Sequence, residues 1–456
     1  MEQNEIYDII IIGGGPAGLS IGSELSKEYK VLILEKEIAG KTARSWFVPP
    51  TVLDEGVKPF TYGGVRRYLA NTFTGAKIAW KSKLFDKYPY VDEKTLLPHW
   101  VKTIKDNNSR IINHCAYQDS DVKDGIVSVI TANATFRSRL LIDASGHNSP
   151  ILEKYKIKKN NIYWWSIFGC IGEHPDGIND MQVGDYMLWQ TFRDTNLHID
   201  TSLQNGRPVF EYEILTKNTS FPLILYLRKE KISYEIMEAE FMHVIRKERS
   251  TKNFHNIKIK ELKYGWYPSG GLSQKIAEDH LIFVGDSACW TTPCGWGMTF
   301  ILDNYKYFSS QISKVLEDNR LDKKSLLSIP HFKVHEKYEI LLNSIITHFL
   351  SNASVSQLDK FINLFKIIDP ILCEKIFTLT ITHEEVRSVL KIVLNQFDLR
   401  ELIHIIPKDD YLLMLEEAKY FIENAVLDEI HDLFSYFHKN KVKSNLKNGF
   451  NFSEAI

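Results

Sequence analysis

The sequence predicts an α/β fold: a Rossmann-like parallel-sheet domain, a mostly antiparallel β-sheet domain laid against it, and a C-terminal helical subdomain. Three observations predict it. Tyr7–Glu35 runs apolar strand, glycine turn, helix, apolar strand. Leu281–Phe300 repeats the order strand, glycine-rich turn, helix far downstream. Between and beyond them, residues 160–274 are rich in short β-type runs, and from about 320 onward apolar residues recur at helical spacing.

The first unit is the more specific. Ile9–Ile12 reads as a strand buried on both faces, Ala17–Glu28 as a helix, and Val31–Leu34 as a second strand ending on Glu35. Gly13, Gly15 and Gly18 stand at G-x-G-x-x-G spacing. Gly13 permits the tight turn, Gly15 lets a pyrophosphate approach the backbone, and Gly18 lets helix and strand pack closely. The helix start offers unpaired N–H groups to the anion, and Glu35 is placed to accept a ribose hydroxyl. Strand, helix, second strand and acid in one register predict a dinucleotide site.

At 456 residues the chain is long for one core and predicts two or three domains. A formal net charge of −1 gives no electrostatic case for nucleic acid or an anionic membrane. The polar opening MEQNEIYD leads straight into a strand, and no run of apolar residues is long enough to span a bilayer. Five scattered cysteines match neither a disulfide framework nor a zinc spacing, so a reducing, cytoplasmic setting without metal is expected.

Lys36–Pro50, with Gly40, Pro49 and Pro50, reads as an irregular loop beyond the second strand. Arg44 in it is a candidate for a phosphate or a flavin edge, and Trp46 for a wall of the active site. Residues 51–96, with a Gly63-Gly64 turn and a strand at Lys77–Trp80, form the far side of a pocket. Leu97–Asp106 reads as a helix. Arg110–Tyr117, Ile126–Thr131 and Ala134–Phe136 read as a small meander with turns at Asp119-Ser120-Asp121 and Lys123-Asp124-Gly125. Leu140–Gly146 (LLIDASG) returns to the parallel sheet, and His147 after it reads as a turn histidine rather than a base.

Ile162–Ile171, Tyr186–Phe192, Val209–Leu215 and Leu223–Arg228 read as antiparallel strands, and Ile232–Lys247 as a helix. In the second anchor Leu281–Val284 is a buried strand ended by Gly285-Asp286. Pro293, Gly295 and Gly297 break the chain before a helix starting near Met298. Asp286 can accept a ribityl hydroxyl, and the new helix start can face a flavin's pyrimidine edge, where negative charge gathers on reduction. Tyr338–Leu350, Leu358–Ile368, Glu384–Leu394 and Tyr411–Val426 read as C-terminal helices, and Phe437–Ile456 as a frayed end.

GGGPAG at Gly13–Gly18, Glu35, IDASG at Ile142–Gly146 and GDSACWTTPCGWGM at Gly285–Met298 together resemble flavoproteins of the two-dinucleotide-binding class. Aromatic hydroxylases, geranylgeranyl reductases, flavin halogenases and lycopene cyclases share that fold. The resemblance implies FAD as cofactor and carries cofactor roles to Gly13, Gly15, Gly18, Glu35, Asp286, Gly297 and Met298. Pro16, Ala17, Lys36, Arg44 and Ala116 complete the expected cofactor set. It implies a discontinuous FAD domain (1–50, 97–159, 275–320), a substrate domain (51–96, 160–274), a helical subdomain (321–437) and a flexible tail (438–456).

Within the class the likeness runs towards the lycopene cyclases, on GCIGEHPDGINDM at Gly169–Met181, WQTFRD at Trp189–Asp194 and YGWYPSGGL at Tyr264–Leu272. One departure bears on function. The acidic strand of those cyclases aligns with Ile224–Arg228 (ILYLR), where Tyr226 and Arg228 replace acids; an arginine cannot deliver a proton to an alkene. Glu211 and Glu213 on the preceding strand leave a relocated acid open.

The expected function is therefore an FAD-dependent oxidoreductase acting on a hydrophobic or aromatic small molecule. Trp46 and Trp290 are expected as pocket walls, with Tyr226, Arg228 and Trp296 carrying catalytic contacts. Trp296 flanks a predicted flavin-contacting turn, and Arg228 is available to bind a carboxylate or enolate-like oxygen. No second G-x-G-x-x-G unit is visible, so NAD(P)H would bind transiently or an external flavin reductase would donate electrons. Cys289 and Cys294 read as packing or substrate contact rather than a redox pair. Two other readings stay open: a non-redox flavin-dependent cyclase or isomerase, and a non-catalytic flavin-binding protein. Contact of the C-terminal helices with a membrane surface is the less favoured reading of their spacing.

Overall fold

In the computed structural model the chain separates into two units, Met1–Gln396 and Phe397–Ile456. The structure describes residues 5–42, 44, 46–71, 77–157, 162–178, 181–190, 208–269, 276–290, 297–330, 346–377 and 380–397. The helices and strands described belong to the first unit.

β1 (Ile6–Ile12) is buried throughout Ile9–Ile12 because both faces are covered there, as the run of isoleucines requires. α1 (Pro16–Leu25) starts with proline at its first turn, where a missing N–H costs nothing, and leads into β2 (Val31–Leu34). Short β3 (Trp46–Phe47), β4 (Thr61–Val65), β5 (Arg67–Asn71), β6 (Lys77–Lys81) and β7 (Tyr88–Val91) follow. α2 (Glu93–Asp106) is capped by the Asp92 side chain on the Lys94 N–H. Next come β8 (Arg110–Ile112), β9 (Tyr117–Lys123), β10 (Ile126–Thr131), β11 (Thr135–Asp143) and α3 (Pro150–Lys154).

The second half holds β12 (Tyr163–Glu173), β13 (Asp185–Gln190), β14 (Val209–Ile214), β15 (Thr219–Arg228), α4 (Tyr234–Lys247) and β16 (Lys258–Ser269). β17 (Ala277–Glu278), β18 (Leu281–Phe283), α5 (Gly297–Glu317) and α6 (Lys323–Leu327) return to the first sheet. Helical residues 346–352 (α7), α8 (Val355–Leu364), α9 (Pro370–Phe377) and α10 (His383–Gln396) complete the described chain.

Two large sheets result. The first runs β17-β18-β11-β1-β2-β8, with β9 and β10 extending from β11. β18, β11, β1, β2 and β8 are mutually parallel, so their carboxyl ends and the loops that leave them lie along one edge. The second sheet runs β16-β12-β15-β14-β13-β5-β6, and β3-β7-β4 forms a small third one. α4 covers one face of the second sheet through Met237, Phe241, Val244 and Ile245, all fully buried. Glu374 on α9 ties the C-terminal helices to the 82–88 loop, accepting from Ser82 Oγ (2.9 Å) and the N–H groups of Lys83 and Leu84.

Several expectations change. Arg110–Tyr117 is not one meander strand: His114 adopts φ +53° and breaks it, so β8 joins the parallel sheet. Asp119-Ser120-Asp121 lies within β9, where only Ser120 is buried. Thr135 and Phe136 of the expected Ala134–Phe136 strand and Leu140–Asp143 belong to a single strand, β11, which pairs with β10 at one end and with β1 and β18 at the other. Gly63-Gly64 is a bulge inside β4, with φ of +49° and +135°, instead of a turn. α1 stops at Leu25 rather than Glu28. Trp46 and Phe47 are strand, paired with Val91 and Tyr90, within the expected loop. Tyr411–Val426 and the tail lie outside the described residues.

Candidate functional site

The glycines of the first unit divide by what surrounds them. A Cβ on Gly13, at φ +106°, would lie 2.4 Å from the Ala144 carbonyl oxygen, and one on Gly18 would lie 2.0 Å from the Gly13 oxygen. Those two are fixed by packing. A Cβ on Gly15 would meet no atom within 4 Å, so this glycine keeps a space open. Gly15 is also the N-cap of α1 and makes no side-chain cap, which leaves the first N–H groups directed into that space. A pyrophosphate fits there by shape and by charge.

Glu35 sits beside it. Its Oε2 accepts from the Gly14 N–H at 2.6 Å and its Oε1 from the Glu37 N–H at 2.8 Å. A carboxylate has about four lone-pair positions, so acceptor capacity remains for a ribose hydroxyl. The Cys115 N–H donates to the Glu35 carbonyl (2.8 Å), which brings exposed Ala116 next to this acid. Lys36 is exposed on the same turn.

The second anchor packs directly on the first. Gly285, at φ +64°, comes so close to α1 that a Cβ would lie 2.7 Å from the Ala17 Cβ. Asp143 at the end of β11 holds the junction: its Oδ1 accepts from the Ser145 N–H (2.9 Å), and its carbonyl accepts from Ser287 Oγ (2.7 Å) and the Val284 N–H (2.9 Å). Asp286 then faces Arg44, with Nη1 to Oδ2 at 3.3 Å, while Arg44 Nη2 donates to the Trp266 carbonyl at 2.9 Å. Arg44 is thus a clamp between the second anchor and β16. Gly297 opens α5, and Met298 behind it is buried in the core.

The pocket expectations need correction. Trp290 is 1% exposed and packs edge-on against Phe308 at 5.3 Å in the parallel-sheet core, so it is a core residue and not a wall. Directly opposite residues of paired strands share a face, and Gly265, Ile167, Leu225 and Val209 form one such row. A Cβ on Gly265 would lie 3.2 Å from Arg44 Nε, so this row marks the face turned to the cofactor domain. Tyr226 and Arg228 alternate onto the other face. Tyr226 is buried in the cluster formed with Met237 and Phe241 of α4, and the Arg228 guanidinium lies 5.0 Å from its ring. Both therefore lie across the sheet from Arg44. Trp46 remains partly buried at the start of β3, and Trp296 and Cys294 lie outside the described residues.

The Arg44 face carries Glu211 and Glu213 instead, 7% and 3% exposed. Tyr186 Oη donates to Glu211 Oε2, and Glu213 lies beside Tyr90. Burial pushes the Glu213 carboxyl up to about 7 and that of Glu211 well above the usual carboxylate range, with Glu213 adding to the Glu211 shift. Tyr90 and Tyr186 were not singled out from sequence. The available signal was VFEYEI, where two acids at period two share one face of an otherwise apolar strand. Among the described residues no group of His, Cys, Asp and Glu could hold a metal ion. No helix among them is long and apolar enough to cross a membrane.

Residues 10–164 match the family model described as pyridine nucleotide-disulphide oxidoreductase. The chain is 24% identical over 365 residues to the digeranylgeranylglycerophospholipid reductase of Methanocaldococcus jannaschii, covering 75% of this chain and 86% of that one. Among solved structures, a geranylgeranyl bacteriochlorophyll reductase-like protein from Thermoplasma acidophilum superposes with TM-score 0.63 at 15% identity, over 88% of this chain and all of the other. This chain has the fold of an FAD-dependent oxidoreductase. The halogenase PltM, solved with phloroglucinol and FAD, shares that oxidoreductase fold at TM-score 0.55 and 11% identity, over 79% of this chain and 80% of that one.

Proposed function

We propose that the protein is an FAD-dependent oxidoreductase that reduces a hydrophobic, unsaturated small molecule. FAD supplies hydride chemistry when bound. The chain's residues supply the rest: α1 and Gly15 receive the pyrophosphate, Glu35 a ribose, Asp286 and the start of α5 the flavin end. The observation that carries the reading is the close packing of the Gly285 turn on Ala17 of α1, which brings the two distant anchors together. The likeness to a digeranylgeranylglycerophospholipid reductase over 86% of that relative supports reduction of an isoprenoid-type substrate. The reductant is a transient nicotinamide or another protein.

The test is anaerobic. Flavin-loaded protein is reduced with dithionite and mixed with a geranylgeranyl lipid ether. Reoxidation of the flavin, with a gain of two hydrogens per flavin in the lipid, supports the reading. Flavin that stays reduced overturns it for this substrate class. A second reading, the lycopene-cyclase-like one, is favoured by the buried acids on β14: a non-redox cyclisation would turn over without consuming reductant.

A further inference from the structure

Five features outside the cofactor site carry chemistry: the Lys263–Glu93 ion pair, Glu374, Cys289, His147, and the acids of β14. Lys263 Nζ meets Glu93 Oε1 at 2.9 Å, both about 95% buried, and Glu374 is satisfied by the 82–88 loop. Cys289 is a fully buried thiol, and His147 packs on Trp164 at 5.2 Å. The acids of β14 differ, because two carboxyl groups there share one face of the sheet and are sealed from water.

Glu211 and Glu213 are two residues apart on β14 and point to the same face of the sheet, the one that Arg44 touches. Tyr186 is directly opposite Glu213 on β13 and donates to Glu211. Phe47 packs against both tyrosines of the group, its ring 5.5 Å from Tyr186 and 6.3 Å from Tyr90. Phe47 is three positions after Arg44 in the chain, so its backbone lies within about 11 Å of the Arg44 backbone. Glu213 Oε2 and Tyr90 Oη are both buried and lie beside each other, and neither has a partner of good hydrogen-bond geometry among the described residues. A poorly paired buried polar atom costs about 1–3 kcal/mol, and a proton held on Glu213 gives the pair a second way to hydrogen-bond.

We propose that Glu211 and Glu213 form a proton-holding pair, which keeps at least one proton at neutral pH and presents it, at Glu213 Oε2 beside Tyr90 Oη, to the substrate. The inference rests on the proposed reduction for the proton's destination, though not for its existence. Reduction of a carbon–carbon double bond adds one hydride and one proton. The hydride comes from the reduced flavin, and the O–H bond of Glu213 breaks as the new C–H bond forms. The carboxylate left behind regains a proton from solvent past Tyr90 and Tyr62, whose rings are 5.4 Å apart; Tyr62 is 48% exposed.

The surroundings keep the proton in place. Tyr90 and Tyr186 are held neutral by burial and by the acids themselves, and Tyr62 is pushed up to about 12. Tyr267 on β16 adds only its neutral phenol near Tyr186. Charged groups on neighbouring elements are paired: Arg67 donates to Asp185, Lys263 to Glu93, and Arg44 to Asp286. Among the described carboxyl groups, Glu211 and Glu213 are the ones that burial drives upward.

The experiment is infrared spectroscopy of the full chain, with and without flavin, from pH 5 to 9. The wild type is expected to show the C=O stretch of a protonated carboxylic acid at pH 6, shifted in D2O and fading towards pH 9. E211Q and E213Q are each expected to lose a share of it, and Y90F to move it. Absence of the band in the wild type, or a band that neither variant alters, overturns the proposal; the wild-type spectrum decides even where a variant fails to fold. In flavin-loaded protein, reduction with dithionite is expected to shift the band, and an unmoved band overturns the donor role. A protein that shows the band but takes up no FAD contradicts the proposed function alone.

Discussion

Arg44 Nη1 lies 3.3 Å from Asp286 Oδ2, joining residues 242 positions apart in the chain. The same guanidinium donates to the Trp266 carbonyl, so one side chain touches the second cofactor anchor and the edge strand of the antiparallel sheet. Both partners are partly exposed, at 35% and 18%, so the ion pair itself contributes at most about 1 kcal/mol. Its consequence is positional. R44Q is expected to change the melting temperature by only a few degrees and to weaken FAD binding about tenfold, read by quenching of flavin fluorescence. A fall in stability without loss of FAD affinity would contradict this.

Gly15 and Gly18 are expected to separate binding from folding. G15A adds a methyl into open space: the protein folds with near-native stability, and FAD affinity drops by at least tenfold as the pyrophosphate is displaced. G18A forces a methyl to within 2.0 Å of the Gly13 oxygen. It is expected to cost about 3 kcal/mol or more, or to yield insoluble protein. Urea unfolding of both variants, beside FAD titration, checks the contrast.

Trp290 is expected to behave as core. W290A should destabilise by about 3–5 kcal/mol, as large aromatic truncations do, while W290F retains most of the stability. A variant that folds normally yet changes only substrate binding would return Trp290 to the pocket wall.

Glu213 makes stability fall as pH rises. Its folded value of about 7 is above the ordinary 4.5, so between those values the folded state binds more protons than the unfolded one. Stability from this group is complete below about pH 4.5, declines through about pH 7, and is level above that. The full span is of order 3 kcal/mol. In E213Q this part of the pH dependence is expected to vanish, measured as melting temperature against pH from 5 to 8.

Much of the cofactor domain could be read from sequence because local pattern and tertiary demand agree there. Ile9–Ile12, Val31–Leu34 and the G-x-G-x-x-G turn each have one physical solution, and the structure adopts it. β11 was harder to see whole, since Arg137 and Arg139 interrupt its apolar run where it leaves the meander for the buried sheet. Asp119-Ser120-Asp121 has turn composition, yet it sits on an outer strand where both acids reach water. For Tyr226 and Glu211 the period of two showed that neighbouring positions on each strand face opposite ways. Which side faced the cofactor depended on α4 covering one face, a contact between segments that no local window contains. Trp290 illustrates the same limit, because an indole beside a glycine turn serves a wall or a core equally well.

The central claim is that the Gly13–Gly18 turn and the Gly285–Met298 segment enclose one FAD. The most direct measurement is the visible absorption spectrum of the purified full chain, followed by titration with FAD. The account predicts an oxidised-flavin spectrum that saturates at one FAD per chain and is lost in G15A. A colourless wild-type protein that leaves added FAD unbound would contradict it.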